Sequence, residues 1–126
     1  DRFYKGSERG ALIGEIDRLA PKQGTPLADA LKRAGAVASD SADSTLVVVS
    51  DGGDSCGGDP CAVARSIRAA KPNVTINVID LSQTPQDKAA LQCIASAGSG
   101  RVLSPGDPID MNRKMREAAG AANCPP

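Results

Sequence analysis

Two oxygen-bearing side chains define the chemistry open to this sequence. Thr25 stands in Gly24-Thr25-Pro26-Leu27. Asp51 stands in Ser50-Asp51-Gly52-Gly53-Asp54-Ser55-Cys56-Gly57-Gly58-Asp59-Pro60-Cys61. A hydroxyl and a carboxylate are hard donors, suited to Mg²⁺, Mn²⁺ or Ca²⁺. Each also has a plain structural use. Thr25 is a good helix N-cap ahead of Pro26, and Asp51 is a good turn former beside Gly52 and Gly53.

Asp54 and Asp59 share the loop with Asp51. Three carboxylates could hold Mg²⁺ for a metal-dependent hydrolase or phosphotransferase. They could equally form a structural calcium loop. The chain has no His and no obvious nucleophile–base pair. Gly57-Gly58-Asp59-Pro60 lacks the Lys-Ser/Thr ending of a phosphate-binding loop. The spacing and terminal Glu of an EF-hand are absent. Asp54 is therefore expected to be solvated and Asp59 to cap a helix.

The cysteines are Cys56, Cys61, Cys93 and Cys124. Zinc ligands come as close pairs, and Cys93 and Cys124 are far apart, so disulfides are favoured over zinc. Three connectivities exist. The preferred one is Cys56–Cys61, which is local, with Cys93–Cys124 joining the ends of two late helices. Oxidised cysteines place the protein outside the cytosol.

The elements that must position these groups can be read from the chain. Thr45-Leu46-Val47-Val48-Val49 is apolar and mostly β-branched, a strand expected to be buried on both faces. It ends at Asp51, and in parallel α/β sheets ligands bind at that strand-end edge. A helix is expected from Ser7, with Leu12, Ile13, Ile16 and Leu19 on one face. A second follows Thr25, with a stripe of Leu27, Ala30, Leu31, Ala34 and Val37. A third starts at Pro60, with Val63, Ala64 and Ile67 inward. Val74 to Leu81 is a strand parallel to the first. A helix from Pro85 has Leu91, Ile94 and Ala95 inside, and Gly98-Ser99-Gly100 stops it. Arg101-Val102-Leu103 is a short edge strand, and a last helix runs from about Pro108 to Ala122. Strands alternating with helices predict an α/β fold, doubly wound, with a mostly parallel sheet flanked by helices.

The 126 residues suit one small domain, with no second domain or repeat. Lys+Arg and Asp+Glu are both 15, a balance that argues against nucleic-acid binding. There is no apolar run long enough to be a transmembrane segment. The first residue is Asp1, so the sequence reads as a mature product or a piece of a longer chain.

Together these segments resemble the von Willebrand factor type A (VWA) family. Gly24-Thr25-Pro26-Leu27 with Ala30-Leu31 is similar to its threonine motif, and Val47-Val48-Val49-Ser50-Asp51-Gly52 to its aspartate motif. Cys56-Gly57-Gly58-Asp59-Pro60-Cys61, and Leu91-Gln92-Cys93-Ile94-Ala95 followed by Gly98 and Gly100, resemble a bacterial exported branch. The resemblance implies a Rossmann-like fold and a non-enzymatic protein-binding module, periplasmic or secreted. It implies that Thr25 and Asp51 hold the metal of a metal-ion-dependent adhesion site, Asp51 through water. The metal's open position then takes a carboxylate from a protein partner.

The chain departs from the family by lacking Asp-x-Ser-x-Ser. Asp40-Ser41-Ala42-Asp43-Ser44 has other spacing and precedes another strand. The family's first strand, first helix and following hairpin are also absent, on the order of 40 residues. Residues 1–126 are thus expected to be the C-terminal portion of a single VWA-like domain. A second chain supplying the first strand is one expected partner, and metal binding by this chain alone is expected to be weak or absent.

Overall fold

A computed structural model describes residues 3–20 and 24–120. A 3₁₀ turn, Gly6–Glu8, leads into α1 (Arg9–Asp17). Then come α2 (Leu27–Val37), β1 (Ser44–Ser50), α3 (Pro60–Ala70), β2 (Val74–Asp80), α4 (Pro85–Ala97), β3 (Val102–Leu103) and α5 (Pro108–Ala118). The three strands form one parallel sheet in the order β1-β2-β3. The fold is α/β, as the alternation of elements predicts.

Local chemistry explains the helix starts. Asp59, Thr84 and Asp107 each precede a proline, and each side chain accepts an N–H from the first turn, at Ala62, Asp87 and Asp110 respectively. Proline at the first helical position loses nothing, because its missing N–H would have no partner there. α4 stops at Gly98, and tight packing explains the glycines beyond it. A Cβ on Gly98 would lie 2.4 Å from Ile76 Cβ, and one on Gly100 would lie 1.9 Å from the Ile76 carbonyl oxygen. The turn after α4 thus runs directly against β2.

Side-chain alternation along the strands divides the core between two faces. Val74, Ile76 and Val78 are fully buried with Ala28, Leu31, Val63, Ala64, Ile67, Leu91, Ile94 and Ala95, so α2, α3 and α4 cover one face. Ile79 and Leu103 pack with Ala118 and Met111 of α5 on the other. Asn77, buried on this second face, donates to the Ala118 carbonyl at 2.8 Å and accepts the Arg101 N–H at 3.0 Å.

The structure corrects the sequence reading in several places. The strand buried on both faces is β2. β1 lies at the sheet edge, with Leu46, Val47 and Val48 half-buried and Val49 43% exposed. An all-apolar run does not reveal which strand is central. In α2 the buried residues are Ala28, Leu31 and Gly35, while Ala30 and Val37 are exposed. Gly35 sets this face, since a Cβ there would meet Ile67 Cδ1 at 2.6 Å. Leu12, Ile13, Ile16 and Leu19 are not buried: α1 contributes no residue to the core.

The disulfide pairing differs as well. Cys61 bonds to Cys93, with Cα atoms 5.6 Å apart, and among the described residues Cys56 is an exposed thiol with no disulfide partner. Cys61 is the second residue of α3, which packs along α4 and so brings it to Cys93. Cys56 sits before that helix, where the loop turns toward Gly24. Cys124 lies outside the described residues, as do Ala121 and Ala122 at the expected end of α5.

The Cys61–Cys93 bond spans 32 residues of chain. Loop-closure entropy for such a span corresponds to about 3–4 kcal/mol. Urea unfolding with and without reductant should differ by about that amount. Non-reducing peptide mapping should link the Cys61 and Cys93 peptides and leave Cys56 outside that bridge.

Candidate functional site

The C-terminal edge of the sheet carries the site. The register pairs Ser50 with Asp80, so β1 and β2 end level. The acidic loop 51–59 leaves β1, and residues 81–84 leave β2 beside it. The Gly24–Pro26 turn enters α2 from a third direction.

Side-chain hydrogen bonds fasten the acidic loop on three sides. The Ser50 hydroxyl, itself buried, donates to the Gly52 carbonyl at 2.7 Å and accepts the Gly52 N–H at 3.3 Å. This bends the chain directly at Asp51. Toward α4, Gly53 N–H donates to Asp87 Oδ1 at 3.2 Å, and the Thr84 hydroxyl donates to Asp87 Oδ2 at 2.7 Å. Toward α2, Ala28 N–H donates to Asp54 Oδ2 at 2.7 Å and Thr25 N–H donates to Ser55 Oγ at 2.6 Å. Ser55 N–H returns a bond to the Thr25 carbonyl at 3.1 Å.

Asp54 is therefore not solvated in the sense expected. Its Oδ1 also accepts the N–H groups of Cys56 at 2.7 Å and Gly58 at 3.1 Å. The Ala28 N–H, followed by those of Cys56 and Gly58, holds its carboxyl below the ordinary value. Thr25 does not cap α2. The helix starts at Leu27, with Pro26 in the cap position and no cap of its own. Asp54, from another loop, supplies the acceptor that the first turn needs. Asp59 caps α3 as expected, accepting Ala62 N–H at 3.0 Å.

Asp80 was not singled out from the sequence. It is buried at the end of β2. Burial pushes its carboxyl up, but the Ser82 hydroxyl and N–H, together with Lys88, outweigh that and leave it lowered. Asp87 and Ser55 were also missed. Thr84-Pro85-Gln86-Asp87 carries the spacing of a capping box, which could have located Asp87. Ser55 has no local signal, because its partner lies 30 residues away.

Thr25 and Asp51 are both exposed at this edge. Among the described residues neither side-chain oxygen has a hydrogen-bond partner. Asp54, Asp59, Asp80 and Asp87 are all engaged with N–H, O–H or ammonium donors. A three-carboxylate site of Asp51, Asp54 and Asp59 is thus not assembled, and no group of three metal-ligating residues occurs among the described residues. Thr25 and Asp51 suit a hard cation chemically and supply two oxygen donors, where Mg²⁺ wants six.

No family model matches the chain. It is 30% identical over 101 residues to the uncharacterized protein YwmC of Bacillus subtilis (strain 168), covering 77% of this chain and 43% of that protein. It is 30% identical over 104 residues to YwmD of the same organism, covering 80% and 45%. The chain thus spans less than half the length of these relatives. The fold is shared with the conserved hypothetical protein BatB from Bacteroides thetaiotaomicron, at a TM-score of 0.69 and 14% identity. That match covers 91% of this chain and 69% of BatB. It is also shared with an aerotolerance-related membrane protein from Bacteroides fragilis NCTC 9343, solved with multiple mutations to serine. There the TM-score is 0.67 at 18% identity, covering 92% and 71%. No helix among the described residues is long and apolar enough to cross a membrane.

A carboxylate with a depressed folded-state pKa adds stability that is full above its unfolded value. That stability is lost as pH falls through the folded value. The Asp54 bonds between the loops should therefore persist at pH 5 and fail only below its ordinary value of 3.8. Following the Ala28 amide by NMR during acid titration checks this. The expected transition lies below that of a model carboxylate.

Proposed function

We propose that this chain is the larger part of a VWA-type protein-binding domain of an exported bacterial protein, working outside the cytoplasm. Thr25 and Asp51 contribute to a divalent-cation site, with Mg²⁺ the first candidate and Ca²⁺ or Mn²⁺ the others. The cation accepts a carboxylate from a protein partner. One observation carries the reading. The three-sided fastening of the acidic loop engages the neighbouring acids and leaves the Thr25 hydroxyl and the Asp51 carboxylate free at one edge. The fold shared with BatB and the Cys61–Cys93 bond support the family and the extracytoplasmic setting.

The remaining ligands come from a further segment, in the same protein or a second chain, that also adds a strand to the open edge of β1. Beside that edge runs an apolar groove of about 250 Å³ lined by Leu27, Ala30, Leu31 and Ala34 of α2 and by Leu46–Val49. β1 between Leu46 and Val49 carries no charge or proline to guard it. The relatives' greater length leaves room for such a segment. Catalysis is not part of this reading.

Partner capture from an extracytoplasmic fraction tests it. Capture by the complete protein should need divalent cation, fail with EDTA, and fall at least about tenfold in Asp51→Ala and Thr25→Val. A screen for phosphatase and hydrolase turnover should be negative. Cation-independent capture, or turnover that Asp51→Ala abolishes, would sink the proposal.

A further inference from the structure

Asp87 ties the acidic loop to the start of α4, and Asp54 ties it to the start of α2, on the side where Thr25 stands. Asp54 Oδ1 holds Cys56 N–H and Gly58 N–H within the acidic loop, and its Oδ2 crosses to Ala28 N–H in the first turn of α2. Ala28 is three residues beyond Thr25, and Asp54 is three residues beyond Asp51. The contact is sterically closed. A Cβ on Gly58 would lie 2.5 Å from Ala28 Cβ and 2.8 Å from Asp54 Oδ2. A Cβ on Gly24 would lie 3.0 Å from Cys56 Sγ. Gly58 and Gly24 thus let the two loops approach, and Asp54 holds them there with Ser55 beside it.

We infer that Asp54 is the positioning residue of this site, fixing the Thr25 turn against the Asp51 loop without itself meeting the ligand. The geometry is independent of what the edge binds. Only its consequence for cation binding rests on the function proposed above. α2 has no side-chain cap of its own at its start, so among the described residues Asp54 supplies the side-chain acceptor for its first-turn N–H groups, while Ser55 holds the Thr25 backbone beside it. The lowered pKa of Asp54 agrees with a carboxylate held by N–H donors.

Asp54→Asn separates the two halves of the contact. The amide oxygen still serves Cys56 and Gly58, while its NH₂ faces the Ala28 N–H, donor against donor. In the 126-residue chain, Ala28 amide exchange should rise by about tenfold or more. Amides of Ile76 and Val78 should keep their protection, and NMR contacts between Thr25 and Ser55 should weaken. Titrated Mn²⁺ should broaden Thr25 and Asp51 signals together in the wild type. In Asp54→Asn the Thr25 broadening should shift to roughly tenfold higher Mn²⁺ or vanish. Should Asp54→Asn fail to fold, Gly58→Ala forces the same separation with the carboxylate intact and should give the same pattern. Unchanged Ala28 exchange and Thr25–Ser55 contacts would overturn the inference, as would loss of protection throughout β2 in a folded variant. If Mn²⁺ broadens neither residue in the wild type, the cation reading falls, and the exchange and contact data still decide the role of Asp54. If both residues broaden at one unchanged midpoint in Asp54→Asn, the cation reading stands and the positioning role falls.

Discussion

The parallel ladder between β1 and β2 governs where everything else in this molecule can be. It runs in register from Ser44 opposite Val74 to Ser50 opposite Asp80. Parallel neighbours need a crossover, so α3 must run back along the sheet. Both strand ends then open at the same edge, where strand-end loops bind ligands in such folds. The acidic loop and the Thr84–Asp87 segment become neighbours for that reason alone. The Cys61–Cys93 bond and the Gly53–Asp87 hydrogen bond both follow from the same placement.

Much of this was legible in the sequence, and the reasons are local. Asp59-Pro60, Thr84-Pro85 and Asp107-Pro108 each announce a helix, because cap and proline act within one turn. Thr25-Pro26 looks the same and behaves differently. Gly24, at φ +86°, turns the chain so that Pro26 takes the cap position and Asp54 supplies the acceptor. What was not legible depends on distant chain. Apolar content gives β1 and β2 the same character, yet only the strand order tells which is central. The pairing of Cys61 follows from how α3 and α4 pack, and not from its nearness to Cys56. Thr25 and Asp51 were singled out on motif spacing, and the fold brings their two loops to one edge through the Thr25–Ser55 and Ala28–Asp54 bonds. Ser55 and Asp54 were missed as cross-loop fasteners because their partners lie 30 and 26 residues away.

The charge balance hides a local asymmetry. Fifteen acids match fifteen bases over the chain, yet Asp51, Asp54, Asp80 and Asp87 gather near one edge. Such a cluster would repel itself if every carboxylate faced only water. Here three of the four are held by donors: backbone N–H groups for Asp54, a hydroxyl and an N–H for Asp87, and Ser82 with Lys88 for Asp80. Those donors come mostly from the fold itself, so the edge stays negative. A negative edge of this kind favours cations over anions in its surroundings.

α2 shows how the acidic edge and the opposite end of the molecule are joined. It carries no cap at its start, and its end is held from outside as well. Lys71 Nζ donates to the carbonyls of Gly35 at 2.9 Å and Ala38 at 2.7 Å, and pairs with Asp40 at 3.3 Å. A cation at the carbonyl end and an anion at the N–H end both suit the helix dipole. Asp54 and Lys71 flank α3 on its two sides in the chain. In the same last turn, Gly35 lets Ile67 of α3 press against the α2 backbone. α2 is therefore braced at both ends by the α3 segment and the loop before it. It can shift only if that segment yields, and the Cys61–Cys93 bond ties α3 to α4 in turn. The position of Thr25, at the head of α2, is thereby set by residues far from it in sequence. A helix placed in this way keeps its outer flank available, and that flank is the wall of the groove along β1.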